Sequence, residues 1–356
     1  MRQKGFSLIE AMLAMVIGLI MSLAAASLAI SYDTGRMSNI ASNTANTNGT
    51  TAAETINTAL EMAGAGLISN YSQICTHLYS TTATNTNSGI ELDTIKLDVT
   101  TDPNSNHVIF AYGSGGSAAS MLKVSVSLAN PNDDIGIPLV GSVATGDDIL
   151  LAYSSAGSGT DCTLRRATAP NAVNGNAGMV NIGLSATAEY NKAIAGVPTY
   201  AADFYVIPVQ VFNYQEWYSE NALLKIKNKI TGTVSIVADG VVFLRAQYGV
   251  NSGLGLTWQD QLPSQLNNLK AVRTAMVVRS GNREKQANAA NCISTTSPTI
   301  SFAGWQNAAN GASSVDISAL TNTTSGSALI PDWRCYFYKT YTTVTPLRSL
   351  AWATAQ

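Results

Sequence analysis

The sequence predicts an α+β protein: one long N-terminal helix, apolar through its first half, leading into a mainly antiparallel β head. Three observations carry this prediction. Residues 6–30 form an apolar run whose single charge is Glu10. Ala53, Ile56, Leu60, Ala63 and Leu67 then recur at the three- and four-residue spacing of one helix face. Beyond residue 68 that period gives way to short alternating runs bounded by Gly, Asn, Ser and Pro, the pattern of strands and turns.

Composition sets the outer limits. A chain of 356 residues with 46% hydrophobic content has enough apolar surface for one large domain or two ordinary ones. Charged residues are only 12%, about half the usual globular share of roughly 25%, and Ser, Thr, Asn, Ala and Gly take their place. This is the profile of an exported surface protein. A net charge of -2 gives no global attraction to nucleic acid, which needs a basic field. The two histidines, His77 and His107, leave little for His-based catalysis or metal ligation. The expectation is a structural or binding protein and not an enzyme, with no cofactor and no resident metal.

The N-terminal run is long enough to span a membrane. As a helix, residues 6–30 rise about 37 Å at 1.5 Å per residue, against a hydrocarbon layer of about 30 Å. Arg2 and Lys4 precede the run and stay on the cytoplasmic side by the positive-inside rule, which sends the rest of the chain across. A secretory signal cut near Ala24-Ala25-Ala26 is the alternative, but it gives Glu10 no purpose. A charge in hydrocarbon costs about 2.5–3.5 kcal/mol on insertion scales, so an intramembrane carboxylate calls for a partner, and the natural one is an amine.

The segment Lys4-Gly5-Phe6-Ser7-Leu8-Ile9-Glu10 resembles the type III leader and processing site of type IV pilins and pseudopilins. The resemblance implies cleavage by a prepilin peptidase after Gly5, N-methylation of Phe6, and pairing of Glu10 with the Phe6 amine of a neighbouring subunit during assembly. Joining a carboxylate and an ammonium that are each costly in a low-dielectric bundle relieves both. The chain then divides into a leader at 1–5, a transmembrane half-helix at 6–30, an amphipathic half-helix at 31–67, and a periplasmic or extracellular head at 68–356 with a weak boundary near 200. Gly18, Gly35, Gly49 and the Thr/Asn-rich stretch 42–51 are poor helix formers, predicting a bent or locally melted helix, and Gly64 and Gly66 mark its end.

In the head, Leu122, Val124, Val126 and Leu128 alternate, as do Tyr205, Ile207, Val209 and Val211, and Val272, Thr274, Met276 and Val278; each reads as a half-buried strand. Residues 80–89, 167–178 and 291–324 read as surface loops. The stretches 240–251 and 269–280, with Trp258 between them, and the late Trp333-Arg334-Cys335-Tyr336 are similar to the PilW-type minor pilins, as are Glu61-Met62-Ala63-Gly64 and Asp161-Cys162.

Four cysteines in an exported chain favour disulfides. Three pairings exist; Cys75 with Cys162 and Cys292 with Cys335 is preferred, because the second ties an Asn/Ser/Thr loop to a terminal strand. Gly113-Ser114-Gly115-Gly116-Ser117 lacks the Lys-Ser/Thr of a phosphate-binding loop and reads as a turn. Asp133-Asp134 and Asp147-Asp148 are surface-turn carboxylates, with calcium binding the sharper reading. Lys225, Lys227 and Lys229 fall on one face of a strand and read as a solvated row protecting an edge, with weak contact to DNA or an anionic surface as the sharper reading. Phe212, Tyr214, Trp217 and Tyr218, and the Tyr336–Tyr341 cluster, read as strand packing.

The resemblance implies a minor pilin that takes part in priming type IV pilus assembly and ends at the pilus tip, serving twitching motility, adhesion or DNA uptake. Its partners would be other minor pilins and the major pilin, reached through the N-terminal helix from the inner membrane. A pseudopilin of a type II secretion system shares the leader and the Glu10 chemistry. A surface adhesin on an uncleaved anchor is the reading from another class.

Overall fold

The computed structural model describes residues 8–352 except 70–71, 82–85, 103–104, 115–120, 125–126, 129–132, 138–142, 153–160, 172–179, 193–199, 201–202, 254, 285–291, 303–304, 306–312 and 323–324. Its architecture is α+β. One helix, α1 (Leu8–Glu61, 54 residues), is roughly 80 Å long at 1.5 Å per residue, and leads into a head of mostly antiparallel strands. The local melting that the sequence allowed is not seen: α1 is one unbroken element through Gly18, Gly35, Gly49 and the Thr/Asn stretch. Propensity lost to tertiary contact there. Thr44, Thr47, Thr50, Thr55 and Thr58 bond back to carbonyls of the preceding turn, while the opposite face packs on the head. The helix stops where Gly64 and Gly66 adopt positive φ (77° and 74°) and Gly64 N–H donates to the carbonyl of Ala111 in the sheet.

The head is built around a nine-stranded sheet in the order Val234–Asp239, Leu223–Asn228, Phe212–Glu220, Ser105–Gly113, Val241–Asn251, Leu269–Arg279, Tyr338–Pro346, with Ile95–Asp102 and Leu256–Gln259 pairing alongside. The period of two in its strands sorts side chains into separate cores. In Leu269–Arg279, Val272, Met276 and Val278 meet α1, while Ala275 and Val277 meet a second cluster containing Phe302, Trp305, Ile317 and Leu320. In Ser105–Gly113, Val108, Phe110 and Tyr112 face α1, while Ile109 and Ala111 face a six-stranded sheet.

That second sheet runs Thr86–Glu91, His77–Thr81, Asp161–Arg166, Asp148–Ala152, Phe204–Gln210, Leu122–Val124. A three-stranded sheet of Ala169–Asn171, Val180–Gly183 and Ile135–Ile137 contributes Ile135 and Ile137 to the core beyond it. The two principal sheets interleave in sequence: Ser105–Gly113 pairs with Ile95–Asp102 on one hand and with Phe212–Glu220 and Val241–Asn251, beyond residue 211, on the other.

Several expectations need correction. The strands around Val209 and Met276 are buried on both faces rather than half-buried, because each is enclosed by two clusters; Val211, past the end of its strand, is exposed. Residues 77–81 and 86–91 form a hairpin rather than a loop, with 82–85 outside the described residues. Residues 169–171 are a strand, and 172–178 lie outside the description. The 291–324 stretch is not merely surface: Phe302, Trp305, Val315, Ile317 and Leu320 cover the second face of the large sheet. Cys75 is joined to Cys162 and Cys292 to Cys335.

Candidate functional site

The site is α1, and its two halves differ in what surrounds them. Every residue from Leu8 to Asp33 is exposed, including 13 large apolar side chains between Leu8 and Ile30. At about 1.5 kcal/mol or more for each such side chain removed from water, covering them is worth on the order of 20 kcal/mol, more than the net stability of a typical domain. An 18-residue window of the helix has a mean hydropathy of 2.4, and by length and composition the helix can cross a membrane. Glu10 is exposed in the first described turn. Gly5 and Phe6 lie outside the described residues.

From Ala41 onward the helix is fixed to the head. Ala41, Ala45, Gly49, Ala52, Ala53, Ile56 and Leu60 are buried, and the stripe expected from sequence, Ala53 to Leu67, is buried at all five positions. Small residues come first because the sheet edge is close: a Cβ on Gly49 would sit 2.0 Å from the Tyr341 ring. The Tyr341 hydroxyl donates towards the Ala45 and Asn46 carbonyls at 3.3 and 3.2 Å. Further along, the Thr345 hydroxyl donates to the Asn57 side-chain oxygen, and Asn48 donates to the Asp239 carbonyl at 3.1 Å. Arg348, in the short C-terminal helix α2 (Arg348–Trp352), meets Glu61 at 2.9 Å in the last turn of α1, where a cation suits the helix dipole.

Gly18 and Gly35, by contrast, have open space where a Cβ would lie. Sequence reading treated all three helical glycines as weak points and so missed the Gly49–Tyr341 contact. The available signal was the four-residue recurrence of small residues at Ala41, Ala45, Gly49 and Ala53.

The other candidate residues are occupied by structural bonds. Asp147 accepts the Ala144 N–H at 2.7 Å. Asp148 is buried, bonded to Arg166 Nε at 2.9 Å and to the Phe212 N–H at 3.0 Å; desolvation raises its pKa despite these partners. The calcium reading therefore fails at this pair, and among the described residues no group of three or more His, Cys, Asp or Glu converges to hold a metal. Gly113 closes a strand where a Cβ would meet Val209, and 115–117 lie outside the described residues.

The lysine row does not guard an edge, because Val234–Asp239 lies outside it in the sheet. Lys225 pairs with Glu220 at 2.6 Å and Lys229 with Glu216 at 3.4 Å, so carboxylates offset its field. Glu216 also accepts from His107 Nδ1 at 2.7 Å. The His107 bond, seconded by Lys229, holds Glu216 down at about 2. His107 stacks on Tyr218 at 4.8 Å, while Phe212, Tyr214 and Trp217 are core residues.

Residues 1–26 match the Prokaryotic N-terminal methylation motif. The match supports a type IV pilin or pseudopilin family, and with it processing by a prepilin peptidase, anchoring in a membrane and assembly with other pilins. No curated protein and no solved structure matches the chain.

Proposed function

We propose that this chain is a PilW-type minor pilin: a prepilin cut after Gly5 and methylated on Phe6 that joins other minor pilins to prime type IV pilus assembly and ends at the tip. The observation that carries the reading is the division of α1 behind a methylation motif. Its first part offers an apolar surface with one carboxylate, and its second part is fixed to a large β head. Residues 6–30 insert in the inner membrane with the head on the periplasmic side, and the same surface then packs beside neighbouring helices in the filament. Glu10 selects register by meeting the Phe6 amine of the adjacent subunit, since each charge is costly alone in a low-dielectric bundle. The head supplies partner choice and surface contact for twitching, adhesion or DNA uptake. The row of Lys225, Lys227 and Lys229, in which Lys225 and Lys229 are paired with carboxylates, is not assigned to DNA.

Glu10→Ala tests this. Cleavage after Gly5 and membrane insertion should persist. Recovery of the protein in sheared filaments should fall by about a hundredfold, the factor equivalent to one unpaired charge in hydrocarbon. Wild-type recovery in that variant would remove the pairing from the account.

A further inference from the structure

The nine-stranded sheet ends in two edges, Tyr338–Pro346 on one side and Val234–Asp239 on the other. At the ends of the first, the Leu347 N–H bonds the Lys270 carbonyl and the Ser280 N–H bonds the Phe337 carbonyl. With the unshifted register between them, residues 339, 341, 343 and 345 bond the neighbouring strand, and the N–H and C=O of Thr340, Thr342 and Val344 point away from it. In the second, the Asn228 N–H bonds the Thr233 carbonyl, which turns the same groups of Val234 and Ile236 outward. Among the described residues no hydrogen bond reaches any of these groups. Their side chains are all β-branched and exposed, Val344 at 57% and Ile236 at 64%. An open edge of this kind is a template for another strand.

The two edges suit each other in sense, level and face. Five antiparallel pairings and one parallel pairing separate them, so they run in opposite directions. They stand at one level along α1: Tyr341 meets the Ala45 and Asn46 carbonyls, and Asn48 meets the Asp239 carbonyl. Tyr341 and Thr345 lie opposite Met276 and Val272, which face α1, so Thr340, Thr342 and Val344 leave the other face. Lys225 and Lys227 alternate with Leu224 and Ile226, which also face α1, so Ile236 and Val234 opposite them leave that other face too.

We propose that the head binds a second copy of this chain by joining the Tyr338–Pro346 edge of one copy to the Val234–Asp239 edge of the next, so that the large sheet runs on through both. Thr342 then lies opposite Ile236, and Val344 opposite Val234, giving about four backbone hydrogen bonds. The proposal rests on the reading of α1 as a membrane anchor, which makes copies stand parallel. Parallel copies bring these two edges together antiparallel, whereas either edge meeting its own counterpart would form the less stable parallel pair. Confinement to one membrane supplies the effective concentration that so short a contact needs, and the unlike edges leave one free at each end of a row.

The test co-expresses two full-length chains with different tags, one carrying Val344→Cys and the other Val234→Cys, and treats the membranes with a short thiol-reactive cross-linker. The two should cross-link to each other, and neither to itself. Adding Thr342→Pro to the first chain removes an N–H that the sheet does not use, and the cross-linked fraction should fall by about tenfold, the factor that one backbone hydrogen bond of ordinary net strength represents. The N-terminal mass of the same sample reads the prepilin assignment separately. Processed, membrane-bound chains that do not cross-link would overturn the edge pairing and leave that assignment standing. Self-linking of Val344→Cys, or linkage only to a chain of another mass, would equally overturn it.

Discussion

The two halves of α1 are continuous in backbone but opposite in side-chain logic. From Leu8 to Ile30 large apolar residues cover the whole circumference and none is buried by the head. From Ala41 to Leu60 a single face is buried, and its residues grow from Ala and Gly to Ile and Leu as the helix runs along the large sheet. An all-round apolar helix needs an all-round apolar environment; a one-sided helix needs only one neighbour. The difference teaches that the first half is matched to surroundings outside this chain and the second to its own fold.

The largest effect should come from truncating the packed half. Leu60→Ala removes a fully buried side chain between helix and sheet and should cost about 3–4 kcal/mol in denaturant unfolding of the head. Leu19→Ala, the same chemical change in the exposed half, should leave that unfolding unaltered. Equal losses in the two variants would break the division of the helix.

Glycine substitutions sharpen the same contrast. Gly49→Ala places a methyl against the Tyr341 ring and should destabilise by about 2 kcal/mol in thermal melts. Gly35→Ala, with open space around it, should stabilise the helix by up to about 1 kcal/mol.

A smaller effect distinguishes the head from the helix by pH. Glu216 has a folded-state pKa of about 2 against an ordinary 4.5, so its contribution is complete above about pH 4.5 and is lost as pH falls towards 2. His107→Phe, which removes the first cause of that depression, should flatten the acid limb of a stability-against-pH curve. An unchanged limb would assign acid sensitivity to other carboxylates.

The α1 stripe and the preferred cysteine pairs were legible because each rests on local spacing or on the small number of possible pairings. The alternating faces of Val272 and Met276 were legible too, but not the burial of their reverse side. That burial comes from Phe302, Trp305 and Ile317, in a stretch whose Ser, Thr and Asn content reads as solvent-facing. The continuity of α1 was misread for a related reason: intrinsic propensity counted Gly49 as a weak point, whereas the fold uses its missing side chain to seat Tyr341. Glu216 and His107 lie 109 residues apart in sequence, and which strands end as edges of the large sheet depends on pairings across the whole head. Distant pairing and strand register decide such sites, and neither is written in local pattern.

The most direct test of the account is the N-terminal peptide mass of this protein in filaments sheared from cells and in the membranes left behind. The account predicts a chain that begins at methylated Phe6 in the filament fraction. Processed protein confined to the membranes would shift the role to a type II secretion pseudopilin. An uncleaved Met1, or a cut near Ala26 that discards Glu10, would contradict the assignment of the exposed half of α1 to assembly.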